Sequence, residues 1–444
     1  MDAVIIIGGG LSGLASAYFL QQQGVSARLL EAEPFIGGNI QSRQEAGFLR
    51  DLGPNSLMLK GQVVPDLLQS LHLEAELVEA NALAKRRYIL NRHRQLAPLG
   101  PGVLFGGKLL SLQGRLRLLS EPFRYRKQDT EEESIADFVR RRLGPEVLTW
   151  LVDPFVSGVF AGDPERLALA ATFPRLLRME QEHGSLLRAA LAARKKTPQS
   201  KACLVSFRQG LQTLPLRMAE QLQGPIHCHT PVDRLEQHTD GSWEVYSAQQ
   251  SWRSAKIILA LPAKKAADLL VLRHSDLAKE LAAISYPAVS TLSLGFPRSK
   301  VQHALNGFGL LIPRIMGLQT LGVLFSSTLF PDRAPLDQVL LTAFIGGSQN
   351  PLDGRSDSDL LQTVLDEIRP ILGIEGEPSF SRCQNWPEAI PQYELGHLAR
   401  LERISQMKQQ ISGLYFRANW RDGIALGDCL EAAQQLSQQI IHQA

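Results

Sequence analysis

"VIIIGGGLSGLASAYFL", residues 4–20, decides how the chain is read. Four apolar residues, Val4 to Ile7, run straight into glycines at 8, 10 and 13, after which Leu14, Ala17 and Leu20 recur at helical spacing. Strand, glycine-rich turn and helix in that order open a dinucleotide-binding βαβ unit. Gly8 permits the tight turn, Gly10 lets the backbone approach a pyrophosphate, and Gly13 lets helix and strand pack closely, with Ser12 in the same first turn. The helix start offers free N–H groups and a positive dipole end, worth roughly 0.3–1 kcal/mol per anion contact. The next strand, "SARLLEAE" (26–33), brings Glu31 eighteen residues after Gly13. A carboxylate there accepts hydrogen bonds from ribose hydroxyls and repels a 2′-phosphate.

The bulk numbers exclude several alternatives. With 444 residues, 20% charged, and a net charge of +3, the chain has material for two or three domains and no global signature of nucleic-acid binding. Cys203, Cys228, Cys383 and Cys429 lie far apart without a CxxC pair, which speaks against a disulfide framework or zinc site and for a reducing compartment. His227, Cys228 and His229 alternate along a strand with no further ligand nearby, so no metal is expected. The chain enters a strand at once, so neither a signal nor a transit peptide is expected, and the location reads as cytoplasmic. Residues 308–330 are apolar but carry Pro313, Arg314 and Gln319, and read as buried strands with turns rather than a span. "FGGKLLSLQGRLRLLSEPFRYRK" (105–127) carries six Lys/Arg against one Glu. It suits a helix lying on an anionic membrane surface, or an ordinary packed helix with solvated charges.

The segment "EAEPFIGGNIQS" (31–42) adds Gly37 and Gly38 just beyond the acid. That second glycine pair resembles the FAD-dependent amine oxidase and phytoene desaturase superfamily, and the resemblance implies FAD. Phe35 stands where that superfamily usually has a basic residue. The implied fold is α/β, α+β overall: a Rossmann-like FAD-binding domain, a mixed α/β substrate domain, and a mainly helical membrane-binding insertion. The FAD-binding domain would be assembled from 1–90, 206–265 and 381–444. Residues 102–205 would form the insertion, with Ile135, Phe138, Val139 and Leu143 at helical spacing, and 266–380 the substrate domain, with strands at 289–296, 308–312 and 339–345 and one clear helix at 357–369. Residues 225–263 read as a meander with an Asp240–Gly241 hairpin turn, where the backbone of Val232 would hold the adenine. Residues 413–433 read as strand, loop and helix, whose N-terminus would lie under the flavin's pyrimidine edge. The resemblance further implies cofactor contacts from Gly37, Gly38, Asn39, Gly53, Pro54, Trp386, Asn419, Ile424, Ala425 and Leu426.

Blocks in the middle of the chain narrow the resemblance. "ESIADFVRRRLGPEVLTWLVDPFVSGVFAGDPERL" (133–167), "GFGLLIP" (307–313), "LGVLFSSTLFPDRAP" (321–335), "FIGGSQNP" (344–351) and "WPEAIPQYELGH" (386–397) look like the oxygen-dependent protoporphyrinogen oxidases. "GGNIQS" (37–42) and "GPNS" (53–56) resemble the cyanobacterial and plant-plastid branch. This implies oxidation of protoporphyrinogen IX to protoporphyrin IX on the haem and chlorophyll route, in three two-electron steps that each reduce FAD, with dioxygen reoxidising it to hydrogen peroxide.

An apolar tetrapyrrole with two propionates needs broad hydrophobic walls and few polar groups. Gly158 matches the family glycine that lies against the macrocycle, and Asp163 and Pro164 then read as N-cap and N1 of a following helix. Arg87 matches the arginine that pairs with a propionate, Leu311, Leu324 and Phe344 match residues that sandwich the rings, and Asn55 matches a polar group near the arginine. No residue reads as a committed general base. The family attaches peripherally to membranes through the insertion; a homodimer and a handover of product to ferrochelatase stay open. Most relatives have a small residue and glycine before asparagine where this chain has Arg417–Ala418–Asn419. The alternatives are coproporphyrinogen III oxidation by the same fold, a carotenoid desaturase or amine oxidase, and a flavin-binding scaffold without turnover.

Overall fold

The computed structural model describes residues 2–100, 109–127, 131–194, 203–248, 250–352 and 354–442. Strand Asp2–Ile7 lies in the middle of a seven-stranded sheet because its side chains are buried on both faces. Val4 and Ile6 join one core with the helix Leu11–Gln22, while Ile5 and Ile7 join a second core on the other side. The strand is parallel to both of its neighbours; on one side it pairs with Ala27–Leu30, which pairs in turn with Ile226–His227. On the other it pairs with Gln250–Leu259, which carries both the strand Leu414–Phe416 and the antiparallel meander Trp243–Ser247 and Arg234–Gln237. The expected one-sided helix is in fact buried nearly all round, because the helices Thr213–Glu220 and Leu426–His442 cover its outer side.

A second seven-stranded sheet runs in the order Phe380–Trp386, Val289–Pro297, Gln338–Gly346, Thr320–Leu324, Gly309–Leu311, Tyr88–Leu90, Leu96–Pro98. One face, with Leu292, Leu294, Leu310, Val323 and Ala343, is covered by the helix Asp357–Leu372. The other face borders the candidate site. Beyond the single helix read from 266–380, the chain also forms Ala263–Leu270 and Ser275–Ala282. Both pack into the second core of the dinucleotide sheet, so the division at 266 falls inside a helix of that core.

The helical region holds two further differences. Residues 145–160 are one continuous helical run, with a π-helical turn at Leu148–Val152 before Asp153–Phe160. Asp163 and Pro164 do not start a helix. The Asp163 carboxylate accepts from the Glu165 amide at 2.9 Å in a turn. The chain then stays extended, because Ile135 N donates to Leu167 O and Ala168 N to Tyr393 O; the next helix begins at Leu169. Among the described residues no helix is long and apolar enough to cross a membrane. Residues 105–108 of the basic stretch lie outside the described residues; Leu112–Leu119 is a helix.

The helical region is tied together by a buried pair. Arg142 and Glu121 are both fully buried and hydrogen-bonded to each other. Glu121 also accepts from Ser185 Oγ and from the amides of Leu186 and Leu187, at the start of the helix Leu186–Arg194, while Arg142 donates to the Gly184 carbonyl at 2.8 Å. Among the described residues, removing Glu121 leaves the buried Arg142 charge with only the Glu180 carboxylate, 3.5 Å away, and strips the Ser185, Leu186 and Leu187 donors of their acceptor. Glu121→Ala is therefore expected to destabilise the flavin-loaded protein by about 3–5 kcal/mol in denaturant unfolding. A loss within the few tenths typical of surface sites would show that the pair is not what locks these helices.

Candidate active site

The glycine-rich turn is shaped by contacts that no side chain would survive. A Cβ on Gly13 would stand 1.9 Å from the Gly8 carbonyl oxygen, and one on Gly8, at φ +106°, would stand 2.5 Å from the Ala260 carbonyl oxygen. Gly10 differs, since a Cβ there would meet nothing within 4 Å. The first intrahelical bond is Leu14 N to Gly10 O, so the amides of Leu11, Ser12 and Gly13 are left for a ligand. Gly10 pairs with Gly37, whose amide donates to Gly9 O, so the second glycine pair walls the same open space. Glu31 stands at the end of its strand, where its carboxylate accepts from the amides of Gly9 at 2.6 Å and Glu33 at 2.8 Å. Open backbone, free helical amides and a fixed carboxylate fit a dinucleotide's diphosphate and ribose.

Other expected cofactor residues come to this cradle from distant segments. Gly38 lies against Gly10, and a Cβ on Gly53 would be 2.2 Å from Asn39 O, so the Gly37–Asn39 and Gly53–Asn55 turns interlock. Trp386 Nε1 and Thr291 Oγ1 both donate to Leu52 O, at 3.0 and 3.1 Å, fixing Gly53 and Pro54 against the second sheet. Val232 is half-buried against the second core of the dinucleotide sheet, between Ile226–His227 and Arg234–Gln237. Ile424 and Ala425 lead into Leu426, the first residue of Leu426–His442. Tyr393, which the sequence reading did not single out, pins this region. Its hydroxyl donates to Asn419 O and accepts from Gly423 N at 3.1 Å, and burial holds it protonated. The quoted block "WPEAIPQYELGH" contains Tyr393, but a tyrosine with long-range backbone partners leaves no local pattern.

The site face of the second sheet is set by register. Ile89, Leu311, Gly322, Phe344 and Thr291 form one cross-strand row, and Gly309, Leu324, Thr342 and Ser293 the next. Residues paired in this way project from the same face, so Leu311, Leu324 and Phe344 make one apolar surface. Arg87, two residues before Ile89, lies at its edge with its guanidinium 5.1 Å from the Phe308 ring centroid. The helix Asp153–Phe160 closes on this surface: a Cβ on Gly158 would be 2.4 Å from Leu311 Cδ2. Asn55, read as a polar group near Arg87, lines a small cavity with Ser326, Thr342, Arg50 and Arg333. Among the described residues, no group of three or more His, Cys, Asp or Glu is placed to hold a metal.

Residues 11–441 match the flavin containing amine oxidoreductase family, and the chain belongs to that family. It is a flavoenzyme, an oxidoreductase that uses FAD. Its relatives include protoporphyrinogen oxidase 2, chloroplastic/mitochondrial, of Arabidopsis thaliana, 30% identical over 99% of this chain and 93% of that protein. The chloroplastic protoporphyrinogen oxidase of Oryza sativa subsp. japonica is 33% identical over 98% and 87%. The coproporphyrinogen III oxidase of Bacillus subtilis is 29% identical over 96% and 95%. Among solved structures, a candidate protoporphyrinogen oxidase from Exiguobacterium sp. 255-15 superposes with TM-score 0.86 at 25% identity, covering 100% of this chain and 99% of the other. Within the family, the chain is therefore grouped with the protoporphyrinogen oxidases.

His397 supplies a pH test of the region held by Tyr393. Its ring stacks on Tyr393 with centroids 4.4 Å apart, and burial pushes its pKa down to about 4. A folded pKa below the ordinary value of about 6.5 means that the unfolded chain takes up a proton the folded one refuses. This contribution is intact above about pH 6.5 and is lost as pH falls toward about 4. Between pH 7 and 5 the wild type should lose about 2 kcal/mol more unfolding free energy than His397→Phe. An equal loss of unfolding free energy between pH 7 and 5 in the two proteins, measured by denaturant titration, would contradict it.

Proposed function

We propose that the protein oxidises protoporphyrinogen IX to protoporphyrin IX, with dioxygen as terminal acceptor. The observation that carries this reading is the apolar face of Leu311, Leu324 and Phe344, closed by Gly158 and edged by Arg87, in a chain related over its whole length to protoporphyrinogen oxidases. When bound, FAD supplies the two-electron acceptor chemistry that dioxygen regenerates. Leu11–Gly13, Glu31, Gly37–Asn39, Gly53 and Pro54 would hold its diphosphate and ribose side, Val232 its adenine, and Trp386, Asn419 and Ile424–Leu426 its ring end.

On this reading the protein's part is binding and orientation. The apolar face excludes water and carries the flat surface of the macrocycle. Arg87 pairs with a propionate and fixes the ring's rotation, a contact worth about 1.5–3 kcal/mol. Gly158 allows the helix to approach the ring where a side chain would fill the gap. The dinucleotide sheet would serve the cofactor, the second sheet the substrate, and the helical region the membrane. Coproporphyrinogen III is the second reading, favoured by the relationship to the Bacillus subtilis enzyme. A dimer and a handover of product to ferrochelatase extend the first reading along the pathway.

Flavin-loaded protein offered both porphyrinogens under air should oxidise protoporphyrinogen IX faster, with about three peroxides formed per porphyrin. Arg87→Ala should raise KM by roughly 10- to 100-fold and leave kcat within a few-fold. Faster turnover of coproporphyrinogen III would transfer the assignment to the second reading, and an unchanged KM would remove Arg87 from the site.

Membrane attachment is proposed through the edge of the helical region, without a span. Leu112, Leu116, Leu119, Phe123 and Tyr125 are all exposed, Phe123 by 85%, beside Arg124, Arg126 and Lys127. An amphipathic basic face of this kind adsorbs to anionic lipid. Protein floated with phosphatidylglycerol vesicles should lose binding in the Leu116→Glu/Phe123→Glu variant while keeping turnover in detergent. Equal flotation of variant and wild type would place the contact elsewhere.

A further inference from the structure

Next to the apolar wall lies a cavity of about 20 Å³, above the roughly 10–15 Å³ that one water needs. Its lining includes Arg50, Asp51, Asn55, Ser326, Arg333 and Thr342. Thr342 stands directly opposite Leu324 in the sheet register, so the cavity continues the same face. Arg333 is 2% exposed. Its Nη2 donates to Ser206 Oγ at 2.9 Å and Phe207 O at 3.1 Å, but its buried Nη1 has no acceptor among the described residues. The buried Nε of Arg50 is likewise without an acceptor among them.

The nearby carboxylates do not supply what these donors lack. Asp51 commits Oδ1 to Ser42 Oγ and the Leu211 amide, and its Oδ2 is 3.7 Å from Arg333, beyond hydrogen-bond range. Glu45 lies 3.4 Å from Arg50 and is shared with Arg382. Two guanidiniums and one carboxylate line the cavity, with Glu45 paired to Arg50 from outside it. Burial depresses the pKa of both arginines and raises that of Asp51, because each charge is held out of water. Buried cationic donors left without acceptors favour an anion over a neutral water.

We propose that this cavity is a binding site for a small monovalent anion, held by Arg333 Nη1 and Arg50 Nε, with the Asn55 amide beside it. A halide or the terminal carboxylate of a bound substrate offers the same chemistry. Only the second source rests on the porphyrinogen reading. Arg87 lies about three strand spacings, roughly 14 Å, across the sheet from Thr342, so the two basic positions are separate.

Flavin-loaded full-length protein would be titrated with sodium bromide against sodium gluconate, and crystals grown in bromide examined for anomalous scattering. Bromide should raise Tm saturably and give an anomalous peak within hydrogen-bond distance of Arg333 Nη1 and Arg50 Nε. In Arg50→Gln the bromide affinity should fall by at least about tenfold, and in Arg333→Met, if it folds, further. KM for protoporphyrinogen IX would then be measured with and without saturating bromide. A KM raised by bromide in the wild type but not in Arg50→Gln assigns the site to a substrate carboxylate, and an unchanged KM assigns it to a free anion. No anomalous peak, or only an ordered water, together with the same bromide response in Arg50→Gln as in the wild type, would overturn the site whatever the substrate proves to be.

Discussion

A Cβ at position 13 would stand 1.9 Å from the carbonyl oxygen of Gly8 and 3.2 Å from the Ala260 side chain. That single close approach sets the distance between the first helix and the sheet. The helix Leu426–His442 packs on the outside of the first helix, and its start carries the Gly423–Leu426 turn toward the same cradle. The strand 414–416 that feeds this turn pairs beside 257–259, whose end contributes Ala260. Segments some four hundred residues apart in the chain are thus registered by one helix–strand contact, and the diphosphate cradle and the far end of the cofactor site are fixed together.

The departures at 417 and 418 lose their force against this frame. Arg417 is buried, yet its guanidinium donates to Asp422 at 2.8 Å, so its charge is met inside its own loop. Asp422 is five residues along the chain, close enough in sequence for the pair to be sought once the arginine raises the question. Ala418 adopts φ −161°, extended backbone open to any residue, and its methyl joins the second core of the dinucleotide sheet. Nothing in the structure explains Phe35, which lies half-buried in the bend after Glu31.

What could be read from the sequence follows from how local its cause is. The βαβ opening was legible because strand, glycine spacing and acid act within thirty residues. The strands near 289–296, 308–312 and 339–345 were legible from their apolar patterning, as was the helix near 357–369. The helices 263–270 and 275–282 were missed because short, alanine-rich segments take their helical state from the core they enter. The false helix start at Asp163 had the right local chemistry; bonds to Glu133 and Tyr393, far along the chain, overruled it. Arg50 and Arg333 are separated by nearly three hundred residues, and no spacing brings them to one cavity. Periodicity in "GFGLLIP" does not say which leucine faces the core; only the pairing Leu311–Gly322–Phe344 does.

The same constraint links the two ends of the helical region. Leu110, Phe138, Val139, Leu148 and Val156 form one core, with Leu118 from the exposed helix and Phe160 from the pocket-facing helix packed against it. Arg142 and Glu121 lock the exposed end of this body, while Gly158 touches Leu311 at the other. Close-packed cores transmit displacement rather than absorb it. From the buried ion pair to Gly158 the helical region is thus one continuous packed body that ends against the apolar wall.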